Sequence, residues 1–398
     1  MKKILFYCQY HLGMGHLVRS VELMRSLASE FQVCFVKGGT DVEGLTLPEN
    51  VEVVTLPLLL SENRQVKVAD PSQNLETVKQ QRTETLLRIF DTFQPDCLII
   101  EGYPFKKYQF EFESIPLLER VKTSLKPVKV VCSLRDVVMA QPYADRDEVI
   151  ATTCQRLNQY FDLLLVHSDP RFHRLEESFP AVSEIHSPIH YTGFVAQSLL
   201  EQSVWSKEDL ADFSRTQPMI LISVGGGQLG HDLLEAAIAA SPIMKKHLPQ
   251  HHLQIFTGPF ISSEKFLRLQ QTATGSSNLT LRKFTPNLLA YMQKASLSIS
   301  LGGYNTTMNI LRTGVNAMIL PSNKDWEQTV RAEKLQSMGL LRLLQPADLQ
   351  PEQLADQIVQ TLTATRSVQQ PFRSFELQGA PKTTALLKRL IEQSAVAA

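Results

Sequence analysis

Residues 297–301 form a short apolar run that breaks at once into Gly302-Gly303, and this junction limits the possible folds more than any other stretch. Beyond the glycines, Met308, Ile310 and Leu311 recur at helical spacing, Gly314 stops the pattern, and 315–320 is a second apolar run closed by Pro321. Strand, glycine turn, helix and strand in so short a span is a parallel crossover unit. Paired glycines let backbone N–H groups approach a ligand with no Cβ in the way. Asn305, Thr306 and Thr307 fall in the first helical turn, where N–H groups and the helix dipole favour an anion, so a phosphate suits this turn. The loop after Pro321 carries Asp325, Glu327 and Gln328 beyond a strand's carboxyl end, the place where open α/β sheets bind ligands.

The rest of the chain repeats the alternation. Residues 2–7, 32–36, 51–56, 97–101, 128–133 and 163–166 read as strands, with helical patterns after Gly15 and over 73–93 and 145–161. The pattern weakens from 179 to 217, around Pro180, Pro188 and Pro218, and then restarts. Strand 219–224 runs into Gly225, Gly226 and Gly227 and a helix bearing Leu233, Leu234, Ala237 and Ile238, followed by strands 253–257 and 279–284. Repeated βα units predict an α/β protein with two Rossmann-like domains, their parallel sheets facing each other across a cleft. The boundaries read as an amino-terminal domain over 1–195, a linker over 196–217, a second domain over 218–375, and a final helix within 376–398 returning toward the first domain.

At 398 residues the chain exceeds one ordinary core. Forty basic residues balance forty acidic ones, so no long-range field draws in nucleic acid and an anionic ligand must be held locally. Five cysteines (Cys8, Cys34, Cys97, Cys132, Cys154) are scattered through apolar runs with no CxxC pair, which reads as reduced core thiols and no zinc site. The apolar run near the amino terminus is too short for a signal segment, and no stretch approaches a transmembrane span. The protein reads as cytoplasmic. Peripheral contact with the inner face of a membrane is the alternative, through Leu58, Leu59 and Leu60 flanked by Arg64 and Lys67.

Three segments in series, GGGQLG (225–230), FTPNLLAYMQKASLSISLGGYNTT (284–307) and PSNKDWEQTVRA (321–332), resemble the nucleotide-sugar glycosyltransferases of GT-B fold. The resemblance is to the group with a family 28 carboxyl-terminal domain, which includes the N-acetylglucosaminyltransferase that makes lipid II. It implies that Gly303, Asn305 and Thr306 hold a diphosphate and that Glu327 and Gln328 reach the sugar. It also implies that Lys283, Phe284 and Thr285 border the base, with Gly226, Gly227 and Gln228 facing the phosphates or the sugar from the other side. In the family a glutamate on the helix after the glycine turn binds the ribose hydroxyls; here that position is Asn309, which is uncharged.

In the amino-terminal half the family has a glycine loop ending in histidine, reproduced by Gly13, Gly15 and His16. The resemblance therefore implies a hexose or N-acetylhexosamine moved from a nucleoside diphosphate, uridine diphosphate in the family, to an acceptor in the amino-terminal domain. His16 would be the general base of a direct, inverting displacement that calls on no metal or cofactor. Glu101 and Asp136, each just past a strand end, are placed to orient His16 or to hold the acceptor, whether small molecule, glycan or lipid-linked. Taken singly, each residue also has a plain structural reading: a capping histidine, a tight turn, acids that cap turns. His251 and His252 read as surface or loop residues, and Phe105, Tyr108, Phe110 and Phe112 as loop packing rather than an acceptor pocket. Two rival activities keep the fold: a nucleotide-sugar hydrolase or 2-epimerase, and a nucleotide-sugar-binding protein without turnover.

Overall fold

Continuous runs of Val, Ile and Leu suit strands buried on both faces, and in the computed structural model they form two sheets in which every paired strand is parallel. The structure describes residues 1–10, 14–42, 45–62, 65–138, 145–201, 205–322, 325–364 and 375–396. The chain divides into two units: Met1–Asp41, Thr46–Val195 and Glu376–Ala398 make the first, and Val42–Leu45 with Ala196–Phe375 the second.

In the first unit the elements are β1 (Lys3–Cys8), α1 (Met14–Leu27), β2 (Gln32–Lys37), β3 (Val51–Thr55), β4 (Leu59–Glu62), β5 (Gln65–Val68), α2 (Leu75–Phe93), β6 (Cys97–Glu101), α3 (Glu111–Lys122), β7 (Lys129–Arg135), α4 (Arg146–Tyr160), β8 (Leu163–His167) and β9 (Ile189–Tyr191). The seven-stranded sheet runs β3-β2-β1-β6-β7-β8-β9. Its order reverses between β1 and β6, so the loops leaving those two strands open at the switch point where α/β sheets hold ligands. A separate antiparallel hairpin, β4–β5, covers part of α2. The C-terminal helix (Gly379–Val396) belongs to this unit: Phe194 and Glu376 exchange a backbone bond of 2.7 Å, Ser26 and Thr384 pair at 2.7 Å, and Lys388 meets Glu30 at 2.8 Å.

The second unit contains α5 (Lys207–Ser214), β10 (Met219–Ser223), α6 (His231–His247), β11 (His252–Phe256), α7 (Ser263–Ala273), β12 (Leu279–Arg282), α8 (Leu288–Lys294), β13 (Ala295–Leu301), α9 (Tyr304–Thr313), β14 (Ala317–Leu320), α10 (Trp326–Ser337), β15 (Arg342–Leu343) and α11 (Pro351–Thr363). Its sheet order, β12-β11-β10-β13-β14-β15, repeats the plan, with the switch between β10 and β13. The two glycine turns leave those two strands. The doubly wound reading is thus borne out.

Other readings need correction. Residues 196–217, read as a linker, are counted with the second unit and include α5, whose Asp209 and Asp212 are buried. Leu59 does not face outward: it is fully buried with Val78 and Phe110, which removes the centre of the supposed membrane-touching triplet, while Arg64 lies outside the described residues. Phe105 and Phe110 are buried core residues, in keeping with the packing reading. His252 is a strand residue, 3% exposed, with Nε2 at 2.8 Å from Thr280 Oγ1, because its register on β11 turns it inward. No helix among the described residues is long and apolar enough to cross a membrane. All five cysteines are buried free thiols.

Candidate active site

In the first unit, His16 lies in the first turn of α1, carried there by the loop that leaves β1, and Glu101 is the last residue of β6. The strand order sets these two ends side by side, and His16 Nδ1 meets Glu101 Oε1 at 2.9 Å. Glu101 is 2% exposed, and it also binds Arg19, one turn along α1, and Lys107, which reaches back to the Gln9 carbonyl as well. Burial pushes the Glu101 carboxyl up, but His16, Lys107 and Arg19 outweigh it and hold the group well below its ordinary range. Burial pushes the His16 imidazole down to about 3 against the pull of Glu101, with Lys107 and Arg135 adding to the fall. The ring is therefore neutral near pH 7. With a carboxylate on Nδ1, the proton sits on that nitrogen and Nε2 keeps its lone pair. A neutral imidazole with a fixed tautomer presents an unprotonated nitrogen to a proton donor, and the carboxylate supplies the counter-charge that offsets the cost of burial when the ring becomes cationic. Asp136 is fully buried just past β7; the carboxylate on His16 is that of Glu101. Gly15 is partly buried beside His16, and Gly13 lies outside the described residues.

In the second unit, Gly303 caps α9, and Gly303, Asn305 and Thr306 are each partly exposed at the helix start. Gly314 ends the helix in the left-handed conformation. The Gly302 carbonyl is held from behind by Arg331 Nη1 at 3.1 Å, and that 1% exposed guanidinium also lies 5.5 Å from the Tyr304 ring. Gly226 and Gln228 are accessible on the facing turn. The loop at 283–285 is tied down internally: the Lys283 carbonyl accepts from Gly258 N at 2.7 Å, Phe284 is half-buried, and the Thr285 hydroxyl donates to Asp209 Oδ2 at 3.2 Å. Glu327 is partly exposed in the first turn of α10. Gln328 is 9% exposed, with Oε1 accepting from Ser322 N at 3.3 Å and Nε2 donating to Asp325 Oδ2 at 3.1 Å. Asn309 is 1% exposed and donates from Nδ2 to Gln197 Oε1 at 2.6 Å.

Residues 219–384, which contain this turn and both flanking strands, match the glycosyltransferase family 28 C-terminal domain. The match takes in less than half of the chain. The whole chain has the GT-B fold. It superposes on the glycotransferase of kitacinnamycin with a TM-score of 0.65 at 17% identity, covering 98% of this chain and 99% of that one. It superposes on MurG of Acinetobacter baumannii with a TM-score of 0.55 at 16% identity, covering 99% and 100%. Over 209 residues it is 25% identical to the NDP-glycosyltransferase YjiC of Bacillus subtilis (strain 168). That match takes in 51% of this chain and 49% of YjiC, so the chain spans about half the length of that curated relative.

Two supports of the family 28 domain escaped the sequence reading. Arg331 is one. The other is a buried knot in which Asp209 and Asp212 of α5 grip Arg282 Nη1 at 2.9 and 2.8 Å while Asp209 also accepts from Asn287 and Tyr291. Burial pushes the Asp209 carboxyl up, yet Asn287, Tyr291 and Arg282 hold it below its ordinary value. Acids in a segment read as linker gave no sign of partners some 70 residues away.

Gly227 is where this turn depends on glycine. Its φ is +88°, and a Cβ there would stand 2.4 Å from the Thr257 carbonyl oxygen. Gly225 is also left-handed, at +67°, but a Cβ there meets nothing within 4 Å. Gly227→Ala should therefore lower the melting temperature and the nucleotide affinity together, because the backbone must shift. Gly225→Ala should show only the left-handed penalty of about 1 kcal/mol. Equal effects by thermal unfolding would contradict the close-approach argument.

Proposed function

We propose that this protein transfers a hexose or N-acetylhexosamine from a nucleoside diphosphate sugar, with uridine as the nucleoside, to an acceptor hydroxyl by direct inverting displacement. The observation that carries the reading is the contact of His16 with Glu101 at a sheet switch point, in a chain whose other unit is a family 28 domain with an open helix start at Gly303. The acceptor O–H gives its proton to His16 Nε2 as its oxygen bonds to the anomeric carbon. The bond from that carbon to the diphosphate breaks on the opposite face, which inverts the centre. Charge growing on the leaving diphosphate is met by N–H groups at the start of α9, stabilisation of the oxyanion-hole kind that is already oriented before reaction. Glu327, partly exposed in the first turn of α10, is the side chain we assign to the sugar hydroxyls. Gln328, engaged at both ends of its amide, shapes the loop that presents Glu327.

The first test is a thermal-shift and calorimetric screen against UDP, GDP, dTDP, CMP and common UDP-sugars. A ligand bound to the native state raises the melting point by mass action. A selective rise with UDP or one UDP-sugar is the expected result and directs the acceptor search. No response to any nucleotide would overturn the donor assignment.

A further inference from the structure

The carboxylate that holds His16 is gripped by two cations where one would balance it. Arg19, its side chain 0% exposed, binds Glu101 Oε1 together with His16 Nδ1, and Lys107 binds Oε2. These groups come from three separate pieces of chain: α1, the end of β6, and the loop that follows β6. Arg135, partly exposed at the end of β7, is a further positive charge acting on the ring, and the Cys8 thiol lies 4.0 Å from Glu101 Oε2. With the ring neutral, Glu101 and its two cations carry a net positive charge.

Lys107 reaches this place against resistance. Among the described residues only it and Gln94 are non-glycine residues with positive φ, at +71° for Lys107, a conformation that crowds Cβ against the following carbonyl. Its side chain is only 13% exposed, so the ammonium has given up most of its water. The loop is pinned around it: Gly102 N donates to the Ser133 carbonyl, Lys106 N to the Gly102 carbonyl and Phe110 N to the Lys107 carbonyl, each at 2.9 Å. The lysine stem passes over Gly102, where a Cβ would stand 3.6 Å from Lys107 Cε. A strained backbone kept together with a desolvated charge points to a side chain whose position is used.

Arg19 alone neutralises Glu101, so the second cation is not needed to keep the carboxylate charged. Its effect falls on the histidine. A carboxylate on Nδ1 favours the protonated ring, and a lysine on the other oxygen of that carboxylate withdraws the favour, because a cation so near disfavours a second one. The ring is 23% exposed, so its burial is incomplete and the balance of charges weighs on its protonation. Resting on the reading of His16 as the base, we propose that Lys107 is a positioning residue that holds Glu101 and cancels its pull on the proton, so that the ring meets an acceptor in its free-base form.

The test is the pH titration of the His16 ring signals by nuclear magnetic resonance in the full chain without substrate, the signals being assigned by their loss in His16→Ala. From about pH 8 down to about pH 5 the ring of the unsubstituted protein stays unprotonated. In Lys107→Met, which keeps most of the stem and removes the charge, the midpoint rises by about one pH unit or more and protonation begins within that range. Lys107→Arg restores the unsubstituted behaviour. Protonation of the unsubstituted ring near its ordinary value of about 6.5 overturns the proposal. So does a Met variant whose ring stays unprotonated throughout: a lower melting temperature with the titration unmoved would make Lys107 a structural residue only. Lys107→Gln, which keeps a donor for the Gln9 carbonyl, replaces the Met variant if that one does not fold. In transfer assays the acid limb should move to higher pH in Lys107→Met, since a base works only while unprotonated. Transfer absent from every variant and from the unsubstituted protein would sink the base reading and leave the titration to decide what Lys107 does to the ring.

Discussion

In a His16→Ala variant, sugar transfer falls by about 100-fold to 10,000-fold, the usual contribution of a positioned general base, while nucleotide affinity is unchanged. The separation follows from where the groups reside. His16 and Glu101 are in the first unit, whereas the glycine turn at Gly303, to which the diphosphate is assigned in the proposal, is in the second. The imidazole side chain is 23% exposed and Glu101 only 1%, so the ring is reachable and the carboxylate that holds it is not. The measurement is release of nucleoside diphosphate with acceptor present, beside calorimetry with the nucleotide alone. Transfer unchanged in the variant removes His16 from the mechanism. Lost nucleotide binding would instead place the histidine at the donor. No transfer in the unsubstituted protein with any sugar donor would leave a binding protein. Glu101 also carries Arg19 and Lys107, so Ala at position 16 leaves it charge-compensated and the fold intact.

The alternation of strands and helices was legible because a strand buried on both faces shows as an unbroken apolar run, and a crossover helix shows as a 3.6-residue stripe. The two glycine turns were legible because glycine marks sharp turns at the ends of such runs. Arg19 was within reach: a charged residue between Val18 and Val21 on a buried helix face must have a buried counter-charge. Its partner was not, since Glu101 lies 82 residues away and pairs with it only because the sheet order reverses between β1 and β6. The same holds for Asp209 and Arg282. The β4–β5 hairpin was missed because its strands are four residues each and its apolar positions face one small cluster rather than the main core. His252 was misread because the start of β11 was set one residue late.

Replacing Arg82 with methionine should destabilise the first unit by about 3–5 kcal/mol, the usual result of stripping one partner from a buried ion pair. Arg82 stands in the stripe Val78, Arg82, Leu86, Phe90, Phe93 that turns α2 toward the sheet. Its side chain and that of Glu113 are both 0% exposed. Nε and Nη2 donate to the two carboxylate oxygens at 2.8 and 2.7 Å, Nη2 also reaches Gln9 Oε1 at 2.6 Å, and Nη1 donates to the Pro57 carbonyl. The Tyr7 hydroxyl donates to the same carboxylate. One guanidinium thus ties α2 to α3, to the end of β1 and to the chain leaving β3. Methionine fills most of the volume, so the loss is electrostatic: Glu113 keeps Tyr7 but loses its only described counter-ion and must either remain charged in an apolar setting or take up a proton. For a unit of this size the cost corresponds to a fall of about 6–20 °C in its melting temperature. The Arg82→Met, Glu113→Leu double variant separates the causes. With both charges gone no ion is buried, and most of the lost stability should return, because well-packed apolar pairs match buried ion pairs in stability. If the double variant melts as low as the single one, the network's worth lies in the bonds to Gln9 and Pro57, and the ion-pair argument fails. The loop that carries His16 leaves β1 directly after Gln9, so the single variant should also lose transfer activity at temperatures below its melting point.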